Sequence, residues 1–396
     1  ETMKKQNNFK KGGVSMFIVI VTCVLVALLT ASFVRMVNRD LSNASRQDLS
    51  QSAYDSAQAG VEDAKRFVRI WNTDCRSGFD TGTDRCARMD AALERNTCNT
   101  LNSAGIGAET GETRIQTTSG TGINNDLALD QAYTCVRIQA NTPDFLGVIA
   151  DGSSKNVPLR AVGGFNQVEI SWYSERDLTQ PNNTNVNLPA PDGGRYSLPS
   201  KSEWSRAVHR PPVMKAQFMG YTGGGLAALD DGVFAVNGNG LNERIYYPTT
   251  VGNTTDTLPT SRKTGDGSST NDLTAVRCRN NIAGGGYACV TTVNLGHTVA
   301  QGNIAFLRLT PIYSGANFRV RLLNNGEYVN FNGVQPIVDS TGRANDRMRR
   351  VESRIESEDL DFPIPEFAVQ VDGDNQLCKD FWVTNFRTNL GSSGAC

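Results

Sequence analysis

Cysteines carry the clearest chemistry in this chain. Cys23 lies within an apolar run, and the other eight of the nine cysteines follow it. An even set of thiols in an exported region is typical of disulfide bonds. Eight cysteines allow 105 connectivities, and proximity along the chain favours pairs closing loops worth about 3 kcal/mol each. The predicted pairs are Cys75–Cys86, Cys98–Cys135, Cys278–Cys289 and Cys378–Cys396.

No catalytic motif accompanies these cysteines. The chain lacks Gly-x-Ser-x-Gly, His-Glu-x-x-His and the Gly-x-x-x-x-Gly-Lys phosphate loop. It also has no Cys-x-x-Cys and only two histidines, which disfavours a zinc site. Asp372 and Asp374 offer oxygens to calcium, but they lack the EF-hand spacing and a plain turn is favoured. We predict no enzyme and no cofactor, with calcium as the weaker alternative; a glycan-cleaving carboxylate pair needs no motif but is disfavoured.

Charge composition excludes one class of partner. The 39 basic and 40 acidic residues leave a formal net charge of −1. A dedicated nucleic-acid-binding protein is expected to be basic. We therefore expect no nucleic-acid partner.

The N-terminal region predicts a membrane helix. Val14 to Val34 are uncharged and mostly apolar, and at 1.5 Å per residue they reach about 31 Å, enough to cross a bilayer core. Secretory signals have apolar regions of only about 7–15 residues. We predict a leader at 1–13, a transmembrane helix at 14–36 and an amphipathic helix at 37–72. The leader contains Lys4, Lys5, Lys10, Lys11, Gly12 and Gly13.

The helix continues beyond the membrane with one buried stripe. Its apolar residues recur at spacings of four and three, the period of one helix face. They are Ala53, Ala57, Val61, Ala64, Val68 and Trp71. Only Gly60 breaks the helix-forming run before Asn72-Thr73-Asp74, so a single helix of nearly 60 residues is predicted.

The first 70 residues resemble a known family. A basic leader, Lys11-Gly12-Gly13 and an uninterrupted apolar helix look like the N-terminus of a type IV prepilin. The run from Gln51 to Lys65 is similar to the small-residue region of minor pilins of the PilX type and of tip pseudopilins. The usual sequence of this region in those proteins is Ala-x-x-Ala-Glu-Ala-Gly, and Gln58 stands at the glutamate position in this chain.

This resemblance implies processing and assembly. Prepilin peptidase would cut beside Gly12, Gly13 and Val14, and the N-terminal helix would pack against other pilins. The implied assembly helix includes Phe17, Ile18, Ala53, Ala57, Gly60, Val61 and Ala64. Before assembly the chain would cross the cytoplasmic membrane once, with its N-terminus inside and its head outside. After assembly it would be part of a pilus at the cell surface.

One position departs from the family. Major pilins carry a glutamate five residues after the cleavage point, where it neutralises a neighbour's terminal amine. Here that position is Phe17 or Ile18, neither of which ionises. A buried unpaired ammonium costs several kcal/mol. The loss favours a subunit at the tip of a fibre.

Beyond residue 72 the helical period gives way to strand patterns. Nine runs with alternation or β-branched enrichment predict a mainly antiparallel, disulfide-stapled head at 73–396, hence an α+β fold. The runs are Tyr133–Ala140, Phe145–Ala150, Gln167–Tyr173, Val213–Met219, Ala288–Leu295, Ile304–Ile312, Phe318–Leu322, Val334–Asp339 and Arg347–Ile355. A short helix is expected at Ala87–Leu93. Residues 102–126, 175–202 and 249–272 have no period and are predicted to be long loops.

Turn residues and charges add detail to the head. Asn324-Asn325-Gly326 and Asn332-Gly333 predict hairpins, and with them a meander from Ile304 to Ile355. The run Gln335–Gly342, followed by Arg349–Ile355, is the best candidate for the sheet that packs on the lower helix. The arginine-rich run at 347–355 predicts cross-strand ion pairs. Five aromatic residues could line a binding surface, but core packing is favoured: Trp172, Tyr173, Trp204, Tyr246 and Tyr247.

The sequence therefore predicts a non-catalytic, membrane-anchored structural protein. The favoured function is a minor or tip subunit of a type IV pilus that initiates assembly or presents an adhesive surface. A tip pseudopilin of a type II secretion system and a non-polymerising, membrane-anchored binding module remain alternatives. The surface ligand is unknown.

Overall fold

The α+β architecture is confirmed. The computed structural model describes residues 12–76, 84–107, 112–115, 130–180, 182–189, 200–221, 243–250, 257–258 and 273–356. A long N-terminal helix precedes a β-rich head, and three disulfides join cysteines of the described ranges. The leader up to residue 11, Cys378, Cys396, Asp372 and Asp374 lie outside the described residues.

Three α-helices are present in the described chain. The first, α1, runs over Gly12–Ile70 with 59 residues, which is about 88 Å at 1.5 Å per residue. A π-helical turn, Trp71–Arg76, closes it, so the predicted end at residues 72–74 lies within this turn. Helix α2 spans Asp84–Arg95 and α3 spans Lys201–Ser205. The short helix predicted at Ala87–Leu93 is thus confirmed.

The described strands form three sheets. In chain order the strands are β1 Thr113–Arg114, β2 Gln131–Thr142, β3 Phe145–Ile149, β4 Lys155–Pro158, β5 Phe165–Ser174, β6 Val213–Tyr221, β7 Glu243–Thr249, β8 Thr257–Leu258, β9 Leu273–Arg277, β10 Tyr287–Val299, β11 Ile304–Ile312, β12 Ala316–Asn324, β13 Glu327–Val329, β14 Phe331–Ala344 and β15 Arg347–Arg354. The sheet orders are β1-β2-β14-β15, then β10-β5-β12-β13 with β3 also on β12, then β4-β11-β6-β7-β9-β8. Among the pairs with a resolved register, β7 and β9 run parallel and the others are antiparallel.

The chain divides into two compact units, and the division falls within β2, β14 and β15. The first unit comprises residues 1–138 and 338–353. Its core forms where the lower half of α1 meets the small inward-facing residues of β14. Every second residue of that strand is buried there: Val338, Ser340, Gly342 and Ala344.

The second unit comprises residues 139–337 and 354–396. Strands of the five-stranded and six-stranded sheets contribute to one hydrophobic core in this unit. Trp172 and Tyr246 lie in that core with ring centroids 6.5 Å apart. All five aromatic residues that the sequence singled out are buried, which confirms core packing for them.

The nine predicted strands are confirmed, each within a few residues of its expected ends. The hairpin at Asn324–Gly326 is also confirmed. It joins β12 to β13, with φ of 51° at Asn325 and 90° at Gly326, the left-handed values of a type I′ turn. Arg350 pairs with Asp339 on the neighbouring strand, so the predicted cross-strand ion pairing is confirmed.

Two predictions were wrong. Asn332-Gly333 does not turn the chain; it lies inside β14, where Asn332 donates its backbone N–H to Arg160 O. The meander is absent because β11 pairs with β6 and β12 pairs with β5. The three residues that link β11 to β12 therefore connect strands of two different sheets.

Three of the four predicted disulfides are confirmed. Cys75–Cys86 joins the π-helical turn after α1 to α2, and Cys98–Cys135 joins the segment after α2 to β2. Cys278–Cys289 joins the residue after β9 to β10. The Cα atoms of these pairs are 5.3, 4.4 and 4.3 Å apart, distances that a disulfide spans.

The fourth bond can be tested directly. We expect non-reducing peptide mapping of freshly isolated protein to recover Cys378 joined to Cys396 beside the three bonds above. Oxidised cysteines are typical of an extracytoplasmic compartment. Free thiols at most of these eight positions would contradict that location, whereas Cys23 should be recovered as a free thiol.

Candidate membrane and assembly helix

The first part of α1 is apolar and uncovered. No charged residue occurs between Met16 and Val34, and none of its most apolar stretch is buried. The Thr22 and Thr30 hydroxyls each donate to carbonyls of their own helix at 2.9–3.0 Å. This satisfies the hydroxyls without another partner, as a helix in lipid requires. Among the described residues, α1 is the one helix that is both long enough and apolar enough to cross a membrane.

No carboxylate lies at Phe17 or Ile18 near the start of the apolar stretch. Phe17 is 68% exposed and Ile18 is 56% exposed, and neither can ionise. Gly12, Gly13 and Val14 already belong to the helix. The first ionisable side chain after the apolar stretch is Arg35, so the described helix has no counter-charge for an amine within its apolar part.

The middle of α1 is exposed on all sides and mostly polar. Residues 35–48 are all exposed and carry charges of both signs. Met36 and Leu41 are each 63% exposed despite being apolar. A helix of this length gains little stability from its own backbone, since most helical stability in proteins comes from packing. No described part of the chain covers these residues.

The lower part of α1 packs against the chain's own sheet. Ala53, Ala57 and Ala64 are fully buried, Val61 is 2% exposed and Gly60 is also buried. This confirms the expectation for β14, whereas β15 has no buried residue and contacts the helix through an exposed hydrogen bond from Arg349 to Ser50. The small stripe that the resemblance assigned to assembly thus lies inside the first unit.

Glycines permit this close approach. A Cβ added at Gly342 of β14 would lie 2.2 Å from Ala53 O and 2.2 Å from Ala57 N. A Cβ added at Gly60 would lie 2.3 Å from the Ser340 hydroxyl oxygen. The sequence predicted that the run Gln335–Gly342 would pack on this helix, but it did not single out Ser340 and Gly342 as the contact residues. Their signal was the alternation of small residues along β14, which is visible only once that strand's inward face is known.

The opposite face of the lower helix is polar and internally paired. Lys65 contacts Glu62 at 2.6 Å, and Gln58 donates to the Tyr54 hydroxyl at 2.8 Å. Such pairs within one exposed helix contribute only about 0.2–0.5 kcal/mol each. They leave this face suited to water and to polar contacts.

A tyrosine fixes the helix to β2. The Tyr133 hydroxyl donates to Asp63 on α1 at 2.7 Å. Burial is the main cause that raises the pKa of Tyr133 to about 12, and the neighbouring Asp63 carboxylate adds to it. The hydroxyl therefore keeps its proton at physiological pH and remains a hydrogen-bond donor to the helix.

The end of α1 is clamped to α2. Trp71 donates its indole N–H to Asp90 at 2.7 Å, and the Arg76 guanidinium lies 4.7 Å from the Trp71 ring centroid. The Cys75–Cys86 disulfide joins the same two elements. The base of the long helix is therefore held by a covalent bond as well as by packing.

No metal site accompanies this helix. Within the described ranges, no group of three or more histidine, cysteine or acidic side chains is arranged to hold a metal ion. The weak calcium candidates Asp372 and Asp374 lie outside those ranges.

Comparison with known proteins identifies no relative. No protein-family model, no curated protein and no solved structure matches this chain.

Proposed function

We propose that this chain is a minor or tip subunit of a type IV pilus, non-catalytic, with an adhesive or assembly-initiating role. The observation that carries the proposal is α1 itself. One continuous helix has an uncovered apolar part, an exposed polar part and a lower part built into its own head. The prepilin-like leader and the small-residue run add sequence support.

The exposed apolar part requires a different environment from water. Apolar surface left in water costs about 25 cal/mol per Å², and this helix exposes long side chains such as Leu28 and Leu29 at 61% and 69%. A bilayer before assembly and a bundle of pilin helices afterwards would both cover it. We propose a single pass through the cytoplasmic membrane, with the N-terminus inside and the head outside.

Residues 16–51 of α1 are the proposed contact with other pilins. The small-residue face of α1 at residues 53–64 is already covered by β14. A neighbouring pilin would therefore contact the uncovered residues that precede this face. Prepilin peptidase would act first, beside Gly12 and Gly13, and would free the helix N-terminus for assembly.

The missing carboxylate favours the fibre tip. A subunit inserted below another must neutralise that neighbour's terminal amine, and an unpaired buried ammonium costs several kcal/mol. Phe17 and Ile18 supply no such charge. At the tip the chain has no subunit above it, and its own amine can pair with the glutamate of another pilin.

Two alternatives stand beside this proposal. A tip pseudopilin of a type II secretion system would share the same helix, and the neighbouring genes would distinguish it. A membrane-anchored surface module that never polymerises would also need the apolar helix, but it would be absent from purified fibres.

Position in the fibre provides the test. Immunogold labelling of isolated filaments should mark one end at a few copies, and deleting the chain should reduce filament number more than filament length. Labelling along the whole shaft would refute a tip subunit, and absence from filaments would favour the anchored module.

A charge substitution separates two reasons for tip placement. Ile18→Glu restores a carboxylate, so some copies should enter the shaft if its loss is what excludes the chain. Leu28→Glu is the matched control, because it adds the same charge at a position unable to pair with the terminal amine. Tip-only labelling of Ile18→Glu would point to the size of the head instead.

A further inference from the structure

A row of charged and aromatic side chains crosses the outer face of the five-stranded sheet in the second unit. Ile170 and Trp172 of β5 lie in the hydrophobic core. Because successive side chains of a strand alternate between its faces, Glu169 points to the opposite face. The strand register places Thr292 of β10 and Arg321 of β12 on either side of Glu169.

The row consists of Tyr287, Arg319, Glu169, Arg321 and Tyr328, which we name the ladder. Arg321 donates to Glu169 at 2.6 and 2.9 Å, and the Tyr328 hydroxyl donates to the same carboxylate at 3.2 Å. The guanidinium carbon of Arg321 lies 4.1 Å from the Tyr328 ring centroid, and that of Arg319 lies 5.2 Å from the Tyr287 ring centroid. One carboxylate therefore lies between two arginines, and one aromatic ring lies beyond each arginine.

Arg319 is the surplus cation of the ladder. Its Nη2 lies 3.7 Å from a Glu169 carboxylate oxygen, which is longer than a hydrogen bond. Its Nε is buried and has no hydrogen-bond partner, although buried donors in native proteins are nearly always paired. Two positive charges and one negative charge leave the ladder with a net charge of +1. The arrangement therefore lacks one acceptor, and it lacks it at Arg319.

Nearby acidic residues do not supply that acceptor. Asp144 is paired with Arg354 at 2.9 Å. Asp177 accepts hydrogen bonds from the backbone and side-chain nitrogens of Asn317 at 2.9 and 2.7 Å, and Arg176 precedes it in the chain. The positive charge of the ladder is therefore not offset by its surroundings.

Burial strengthens the attraction of the ladder for an anion. The Glu169 side chain is 9% exposed, and those of Arg319 and Arg321 are 26% and 24% exposed. A guanidinium that is shielded from water interacts more strongly with a carboxylate than one in bulk solvent, because the local dielectric constant is lower. Since Nε is buried, a ligand reaches Arg319 through its two terminal nitrogens, which match the two oxygens of one carboxylate.

The surface beside Arg319 offers contacts of a second kind. The Tyr328 ring is 54% exposed, and Thr292 presents an exposed side chain with a hydroxyl group. Two residues of a strand span about 6.6 Å, so the distance along the row from Arg319 past Arg321 to Tyr328 is about 10 Å. That distance is about the length of two sugar rings.

We propose that the ladder binds an acidic saccharide. The ligand carboxylate accepts hydrogen bonds from the terminal nitrogens of Arg319, a sugar ring packs its C–H groups on the Tyr328 ring, and Thr292 bonds a sugar hydroxyl. A simple anion satisfies Arg319 alone, whereas a saccharide uses all three contacts. The use of this site as the adhesive surface of a fibre rests on the proposed function, but the binding itself does not.

Ligand-observed NMR titration of the full chain, in micelles of a detergent without a sugar head group, tests the site. Cellobiouronic acid and cellobiose are a matched pair that differs by one carboxylate, and acetate and inorganic phosphate test the anion alone. Wild type should bind cellobiouronic acid at least about tenfold more tightly than each of the other three probes. No binding of cellobiouronic acid, or binding of any other probe with equal affinity, would overturn the proposal.

Substitutions then locate the bound ligand. Arg319→Gln removes the surplus charge, so the affinity for cellobiouronic acid should fall about tenfold or more. Arg308→Gln is the matched control, because it removes the same charge from β11 of the six-stranded sheet and should leave the affinity unchanged. Equal affinities of these two variants would contradict binding at the ladder.

Tyr328→Ala covers the case in which Arg319→Gln folds poorly, since the Tyr328 side chain is exposed on the short strand β13. Its affinity for cellobiouronic acid should fall severalfold, and an affinity equal to that of wild type would refute the sugar contact. Binding concerns only the second unit, so it can fail while labelling at one fibre end succeeds, and the reverse.

Discussion

Replacing Gly342 with alanine is expected to destabilise the first unit by about 3 kcal/mol. The added Cβ would meet two backbone atoms of α1, the oxygen of Ala53 and the nitrogen of Ala57, each at 2.2 Å. Backbone atoms cannot rotate away as a side chain can, so β14 or the helix must shift. That shift would open the contact that buries Ala53, Ala57 and Ala64.

Denaturant unfolding and hydrogen exchange of the full chain in detergent micelles would measure this effect. The midpoint should fall, and amides of residues 53–64 should lose protection. Gly163→Ala is the matched control, because an added Cβ there meets no atom within 4 Å and the backbone φ is not left-handed. Equal midpoints for the two variants would show that α1 does not need the close approach at Gly342.

Features with a local signal were predictable from the sequence. The period of α1, the alternation within the nine predicted strands and the hairpin at Asn325-Gly326 each depend on residues close in the chain. The same holds for Cys75–Cys86 and Cys278–Cys289, whose members are 11 residues apart. Short loops close at little entropic cost, so chain proximity was a sound guide.

Strand partners had no local signal. The sequence predicted neighbours in the chain to pair from Ile304 to Ile355, yet β11 and β12 pair with strands far earlier in the chain. The best partner of a strand depends on burial of both faces across the whole sheet, which no single run of residues encodes. The sequence Asn332-Gly333 predicted a turn that is absent, because strand pairing along β14 overrides the turn propensity of these two residues.

The small-residue stripe shows why the candidate site was only partly predictable. Periodicity establishes that Ala53, Ala57, Gly60, Val61 and Ala64 form a packed face, but it does not name the partner. The structure assigns that face to the chain's own β14.

Processing of the leader is the second prediction with a large effect. If the chain is a prepilin, peptidase acting at Lys11-Gly12-Gly13 removes the charged leader completely and leaves the apolar helix as the new terminus. We expect every assembled subunit to have lost its leader. An uncleaved helix would place four leader lysines in an apolar fibre core, where burial of unpaired charges is too costly.

The mature N-terminus is measured by intact-mass and N-terminal peptide mass spectrometry of protein sheared from the cell surface. The pilin-like interpretation predicts a chain that starts at Gly13 or Val14, with N-methylation of that residue implied by the family resemblance. Loss of the leader should disappear in a strain without the prepilin peptidase. Mature surface protein that retains Met3 to Lys11 would contradict the pilin-like interpretation and favour an uncleaved signal anchor.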